Sequence, residues 1–413
     1  MAGLPRIGTL ALLGATLVSP AVLAQQPAPE PERNVTVEQR RRPQFDPLGI
    51  RAGGFLVYPS LQVGGEYDSN VFALENNEED DFGLLVRPRI TAASQWSRHA
   101  LNMSLFGDFA LYEEFDENNY QDFGASINGR LDITRNDVLF ADLYLQRRHE
   151  GRESPESVGS ENLVNYFDGL ARLGYRHDFN LVYFVVGGAL NRLDYEEEDF
   201  NEDRRDNIEL NGDLRIGYKI SPRFNVFVQG DYTVVRYDKT PDIAGFDRDS
   251  KGWGFSVGTD IDITGILFGE VQVGYIYREY DDEDLDSVSG PGGQAKLTWN
   301  ITGLTSLIFE AGGGIVETTQ NGASADLQTN IGAEVQHELL RNLILNGRLS
   351  FTRDDFQGID RTDHTYRARA GARYLLNRNL SLDATYEFAT RDSDVNGADY
   401  DRHLMRIGVT ARL

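Results

Sequence analysis

The sequence contains no cysteine. That excludes a disulfide framework, a thiolate-ligated metal and a lipid anchor on a modified cysteine. It also lacks a basic excess. Lys and Arg number 40 against 65 Asp and Glu, so nucleic acid is not expected as a partner, because too little positive charge is present to neutralise its phosphates. Long hydrophobic runs are missing as well. Beyond residue 24 nothing approaches the roughly 20 apolar residues of a membrane-spanning helix, so any residence in a membrane would have to come from strands. Catalytic signatures are equally scarce. The six histidines (His99, His149, His177, His337, His364 and His403) form no His-Glu-x-x-His pattern, and no Gly-x-Ser-x-Gly elbow or phosphate-binding loop occurs. His149 and His364 lie beside acidic residues, where a loop-rim hydrolase would need them, but the pattern goes no further. No catalytic, cofactor-binding or metal-binding residue is nominated, and an enzyme is not expected.

What is present begins with an export signature. Arg6 is followed by a mostly apolar run, Ile7 to Val18, and by a small-residue exit with Val22 and Ala24 at cleavage positions. Residues 1–24 are therefore expected to be a signal peptide, cut before Gln25. Residues 25–54 are rich in Pro, Gln, Glu and Arg, and are expected to be a periplasmic segment, mostly extended or disordered.

From Phe55 to Leu413 the texture is uniform. Apolar and polar residues alternate over roughly ten positions, a turn follows, and the alternation resumes. In 207–220, Ile208, Leu210, Gly212, Leu214, Ile216, Tyr218 and Ile220 share one face, opposite Asn207, Glu209, Asn211, Asp213, Arg215, Gly217 and Lys219. The final segment sets Met405, Ile407, Val409, Ala411 and Leu413 against Leu404, Arg406, Gly408, Thr410 and Arg412. Short connections such as 134–137, 221–224 and 376–379 alternate with longer acidic ones such as 75–81, 150–161, 194–206 and 281–290. About eighteen strands of roughly 9–11 residues, with short periplasmic turns and long acidic extracellular loops, describe a transmembrane antiparallel up-and-down β-barrel over residues 55–413. Several soluble β-sandwiches would need linkers, and no composition break follows residue 54. In lipid no sheet edge can stay unpaired, so the first strand is expected to pair with the last. Aromatic residues near the loop ends, including Tyr67, Phe82, Tyr112, Phe123, Tyr195, Tyr237, Trp253, Tyr280 and Tyr400, are expected to form one interfacial girdle, and Trp96, Tyr175, Phe179, Phe224 and Trp299 the other.

The polar face of each strand would line a charged but nearly balanced lumen. One group departs from balance: Arg348, Arg367, Arg369, Arg373 and Arg406 could form a basic ladder guiding an anionic polymer. The simpler reading, which we favour, pairs them with Asp383, Glu387 and Glu334 across neighbouring strands. The acidic loops carry no Asp-x-Asp-x-Asp-Gly calcium motif and read as solvated.

The stretch from Arg40 carries a distinctive pattern. Arg42, Pro43, Asp46, Pro47 and Gly49 lead into Gly54, Phe55 and Pro59, followed by Tyr67, Asp68, Asn70 and Phe72. This resembles the outer-membrane barrel family called putative β-barrel porin 2, of Gram-negative bacteria. The resemblance implies a pore-like barrel in the cell outer membrane, often associated with extracellular polysaccharide export. The expected function is thus an outer-membrane pore or export conduit for polar solutes, including anionic polysaccharide. The alternative is a non-conducting structural or adhesive barrel acting through its acidic loops. Expected partners are outer-membrane lipid and lipopolysaccharide, the barrel assembly machinery, and components of polysaccharide export.

Overall fold

The computed structural model describes residues 34–157, 162–196, 202–242, 244–263 and 265–413. The expected signal peptide, residues 25–33 and parts of the loops at 150–161 and 194–206 lie outside the described residues. A three-residue strand, β1 (Ile50–Ala52), forms a hairpin with β2 (Phe55–Asp68). The barrel continues with β3 (Asp81–Ser94), β4 (Ala100–Tyr112), β5 (Tyr120–Asp132), β6 (Asp137–His149) and β7 (Asn165–Phe179). Next come β8 (Val182–Tyr195), β9 (Asn207–Ser221), β10 (Phe224–Tyr237), β11 (Ser250–Ile263), β12 (Leu267–Tyr280) and β13 (Val288–Thr302). It closes through β14 (Thr305–Val316), β15 (Ala325–Leu340), β16 (Leu343–Gln357), β17 (Arg361–Leu375), β18 (Leu380–Ser393) and β19 (Tyr400–Arg412). Every barrel strand pairs antiparallel with its two neighbours, and β19 meets β2 with Arg406 opposite Glu66 and Leu404 opposite Asp68. The result is a closed barrel of 18 strands.

The period of two explains why the sheet closes around a polar interior. Outward positions are exposed and apolar: Leu349 (65% exposed), Ile407 (72%) and Val273 (62%) stand on three different strands. Inward positions such as Arg215, Asp213 and Glu387 are polar and buried. No long helix forms among the described residues; the helical pieces there are two single turns, Asp116–Asn118 and Glu202–Arg205. None is long and apolar enough to cross a membrane, which says nothing about crossing by strands.

The strands are longer than the alternation suggested, from 12 residues in β14 to 16 in β15. About ten residues are enough to cross the hydrocarbon, so the remainder extends the sheet into the rims. Two short turns had no clear mark in the sequence, at 95–99 and 303–304, and so did two loops, at 317–324 and 358–360. The last is only three residues long and carries no acidic run.

The expected loop-end girdle divides. Phe82, Phe123 and Trp253 are exposed on the outer face, at 58%, 47% and 47%. Tyr195, Tyr237 and Tyr400 are buried instead. Parity is the reason: Tyr400 is two residues from Arg402 and shares its inward face, and Tyr237 lies opposite the inward Asn207. At the turn end Trp96, Phe179, Phe224 and Trp299 are exposed, as a lipid-interface belt requires.

Candidate lumen and its two closing segments

Eighteen strands at the usual spacing and tilt enclose a barrel of roughly 35 Å between backbones, wide enough for an aqueous interior. Extensive backbone contacts run between sheet neighbours, so the lumen is not filled by strand-on-strand packing. What occupies it are side chains and two segments, one at each end.

The side chains divide by sign. One wall, β16 to β19 and on to β3, carries Arg348, Arg361, Arg367, Arg369, Arg373, Arg391, Arg402, Arg406, Arg412, Arg87 and Arg89 on inward positions, in excess of the Asp354, Asp363, Asp383, Glu387, Glu66, Asp68 and Asp81 that share its inner face. Half a turn away, β7 to β12 carry Asp168, Asp178, Glu209, Asp213, Asp231, Asp260, Asp262 and Glu270, with fewer bases between them. The near balance expected from the whole lumen therefore hides a separation of charge between walls.

The five arginines of the candidate ladder all face inward. Arg373 donates to Asp383 at 2.6 Å, and Arg348 reaches Glu310 at 2.8 Å and Glu334 at 3.4 Å. Arg369 pairs with Glu387, and Arg406 with Glu66. Arg367 alone of the five has no ion pair among the described residues. Sequence reasoning missed Arg361, Arg391 and Arg402, which share the inward parity but sit close to the loops. Opposite, Arg215 is fully buried, bonded to Glu270 at 2.9 and 3.0 Å and to Gln229 at 2.8 Å, with its guanidinium 3.7 Å from the Phe227 ring centroid. Satisfied on every side, such a group stiffens its wall.

At the turn end, residues 34–46 lie as a strap against β13 to β19. Val37 is fully buried against Ile344 and Leu375, and its backbone N–H donates to Ser306 Oγ at 2.9 Å. Asn346 donates to Glu38 Oε1 at 2.9 Å, and Glu38 N–H donates to Gln336 at 3.1 Å. Arg42, 5% exposed, reaches Glu338, 4% exposed, at 3.0 Å. Its backbone is turned by Asp46, whose carboxylate accepts from Arg42 N–H at 2.5 Å while Asp46 N–H returns to the Arg42 carbonyl at 2.7 Å. Gly49 then takes a left-handed φ of 73°, with a space that the Tyr58 ring denies to any Cβ.

At the loop end, the β6–β7 connection folds across as a lid. Glu153 Oε2 accepts from Arg402 at 3.0 Å, and its carbonyl accepts from Arg391 at 2.9 Å. Glu156 accepts from Thr318 and Thr319, and Gln320 donates to the Pro155 carbonyl at 3.0 Å. The lid thus reaches from β6 to the β14–β15 loop and to β18 and β19. Arg152 donates to Asn118 at 2.8 Å and lies 5.3 Å from the Phe72 ring centroid. Glu150 is clasped by Arg205 at 2.8 Å through both carboxylate oxygens. Burial pushes the Glu153 carboxyl up, but the Arg402 and Arg367 guanidiniums overcome it and hold it at about 2. Burial likewise opposes ionisation of Glu150, and Arg205 outweighs it, leaving that carboxyl below its ordinary value.

The residues of the distinctive N-terminal pattern turn out to hold both closures. Arg42 and Asp46 fix the strap. Asp68, fully buried, holds Arg402 at 3.0 and 2.5 Å, and Arg402 holds the lid. Asn70, also fully buried, knits its own turn to the Asp401 carbonyl at 2.9 Å, and Phe72 underlies Arg152. Between them Gly54 makes room for Trp96, whose ring meets Phe55 edge-on at 5.3 Å. The Pro59 carbonyl takes the N–H of Leu413 at 3.1 Å, and Tyr67 packs on Phe82 on the outer face.

Of the histidines beside acids, His149 bonds Asp122 at 3.0 Å and stacks on Tyr120, and His364 stacks on Phe351. Neither stands beside a nucleophile in these contacts. No group of three or more His, Asp or Glu side chains suited to a metal occurs among the described residues.

Residues 42–413 match the family described as putative beta-barrel porin 2. No curated protein matches the sequence. Among solved structures the chain is similar to OpdL of Pseudomonas aeruginosa, at 12% identity and a TM-score of 0.45, covering 88% of this chain and 100% of that one. It is similar also to OccAB4 of Acinetobacter baumannii, at 9% identity and 0.44, covering 90% and 99%. A third likeness is to the ferric citrate transporter FecA in its unliganded form, at 13% identity and 0.41, covering 82% of this chain and 60% of that one.

Proposed function

The chain belongs to the putative beta-barrel porin 2 family, and from that premise we propose that it is an outer-membrane conduit for polar solutes in a Gram-negative bacterium, with anionic polysaccharide its preferred class of cargo. Family and fold point to a channel rather than an enzyme. The observation that carries the reading is the separation of charge across a hollow barrel. A wall from β16 to β3 with an excess of arginines, interrupted at β2 by Glu66 and Asp68, faces one with an excess of carboxylates, so a polyanion entering the lumen is drawn towards the first. Salt bridges on the basic wall do not cancel this, because arginines outnumber carboxylates there and Arg367 has no ion pair among the described residues. Lipid and lipopolysaccharide would surround the outer apolar band, and the barrel assembly machinery would insert it.

The second reading, a non-conducting structural barrel, draws on the strap and the lid, which narrow both mouths. Current block separates the two. In planar bilayers, polygalacturonate is expected to interrupt current steps at concentrations at which dextran of equal size leaves them unchanged. Equal block by both polymers would remove the anionic preference. Absence of steps from folded protein would favour the structural barrel.

A further inference from the structure

On the basic wall, beneath the lid, Arg402 donates to the Glu153 carboxylate at 3.0 Å and Arg391 to the Glu153 backbone carbonyl at 2.9 Å, with Arg367 and the Tyr400 phenol within electrostatic reach of the same residue. Glu153 takes one hydrogen bond from Arg402, while Asp68 takes the others, and the Arg391 Nε is spent on the Ala398 carbonyl at 2.6 Å. Arg367 makes no ion pair among the described residues, although it lies within electrostatic reach of Glu153 and Tyr400. Tyr400 is 3% exposed, lies beneath the Arg391 guanidinium at 5.0 Å, and its hydroxyl has no hydrogen-bond partner among the described residues. The same hydroxyl feels the charges of Arg367, Arg391, Arg402 and Glu153. A buried hydroxyl left without a partner is costly, and one beside an uncommitted guanidinium on an inward face is a pair of unused donors.

We propose that Arg367, Arg391, Arg402 and Tyr400 form a binding site for the carboxylate of an acidic sugar, and that Glu153 is its built-in occupant. A planar carboxylate suits guanidinium groups, and Glu153 demonstrates the fit at Arg402. An incoming carboxylate gains the hydrogen bonds that Glu153 does not make, from the Arg367 guanidinium and the Tyr400 hydroxyl. It therefore competes for Arg402 on favourable terms. Displacing Glu153 removes the side-chain tether of the lid to β19, so binding of the anion and loss of that tether are one exchange. The inference deepens the conduit reading and rests on it only for the route by which the sugar arrives.

Equilibrium dialysis of the full chain, folded in detergent micelles, against labelled glucuronate reads the site without reference to current, with glucose as the neutral control. Wild-type protein is expected to bind glucuronate and not glucose. Glu153→Gln is expected to tighten binding by about tenfold, because the competitor is gone, and Arg367→Gln to weaken it by about tenfold. Arg367→Lys is expected to restore part of the loss, and Tyr400→Phe to weaken binding by a smaller factor than Arg367→Gln. Equal affinity in wild type and Glu153→Gln would overturn the built-in occupant. Absence of glucuronate binding to Glu153→Gln protein that migrates as a folded barrel would overturn the site itself. Binding without any bilayer current would keep the site and remove the conduit, and current without binding would do the reverse.

Discussion

Replacing Arg42 with alanine is expected to release the strap from the turn-end mouth. Arg42 and Glu338 meet at 3.0 Å with side chains 5% and 4% exposed. Without Arg42, Glu338 keeps among the described residues only Arg341, at 3.4 Å and 81% exposed, as a weak partner. Leaving a buried charge unpaired in this way costs roughly 3–5 kcal/mol, and the residual Arg341 contact places the loss near the lower end. About 3 kcal/mol is two decades in the population of undocked strap. The docked state must also keep Val37 against Ile344 and Leu375, which contributes roughly 1.5–3 kcal/mol, so the two contacts are of similar weight and losing either is felt. Trypsin cleavage after Arg40 and Arg41 reads the undocked fraction when opening is faster than cutting. The rate is expected to rise about a hundredfold in Arg42→Ala. A double substitution, Arg42→Met with Glu338→Leu, is expected to return most of the protection, because a well-packed apolar pair replaces a buried ion pair at little cost. A cleavage rate for Arg42→Ala within about threefold of wild type, or a double variant as exposed as the single one, would show that the Arg42–Glu338 pair does not hold the strap.

Three further outcomes follow from the same geometry. Leu349→Arg places a charge on the lipid face, at a side chain 65% exposed, and is expected to cost about 2–4 kcal/mol in urea unfolding from lipid vesicles, while inward Ser350→Arg is tolerated. Gly217→Ala puts a Cβ 2.1 Å from the ring of Tyr183, which is fully buried, and overpacking of about 1–3 kcal/mol is expected in the same assay, whereas Gly212→Ala, with nothing within 4 Å, is silent. The Glu153 carboxyl is depressed from its ordinary 4.5 to about 2, so its tethering of the lid is complete above 4.5 and is lost as pH falls through about 2. Hydrogen exchange in the lid is thus expected to be flat from pH 8 to 5, after correction for intrinsic rates, and to accelerate below about 4 in wild type but not in Glu153→Gln.

The barrel was legible because period-2 alternation is a local signal that every strand repeats. In β9 the outward Leu210, Leu214, Ile216 and Tyr218 could be read directly, and their exposure in the fold follows from it. The same parity put Arg348, Arg367, Arg369, Arg373 and Arg406 on the inner face. Arg391 and Arg402 obey it too, but they flank the loop between β18 and β19, where alternation is hard to separate from loop polarity. Tyr400 was assigned to the girdle by its position along the strand, although its parity with Arg402 already turned it inward. The two closures could not be read, because their partners are remote in sequence. Glu153 meets Arg402 across 249 residues and Val37 meets Ser306 across 269. No local pattern records which wall a loop will reach. The N-terminal pattern supplied a signal of another kind. Arg42, Asp46, Asp68, Asn70 and Phe72 marked the chain as distinctive before the fold gave the reason, which is that they hold the strap and the lid.

The most direct test is single-channel current through the full chain in planar bilayers, compared with the same recording for Arg42→Ala. A hollow barrel narrowed by the strap is expected to give discrete steps in wild type and larger steps once the strap is released. A silent bilayer for both proteins, each shown to be folded by heat-modifiable migration, would contradict it.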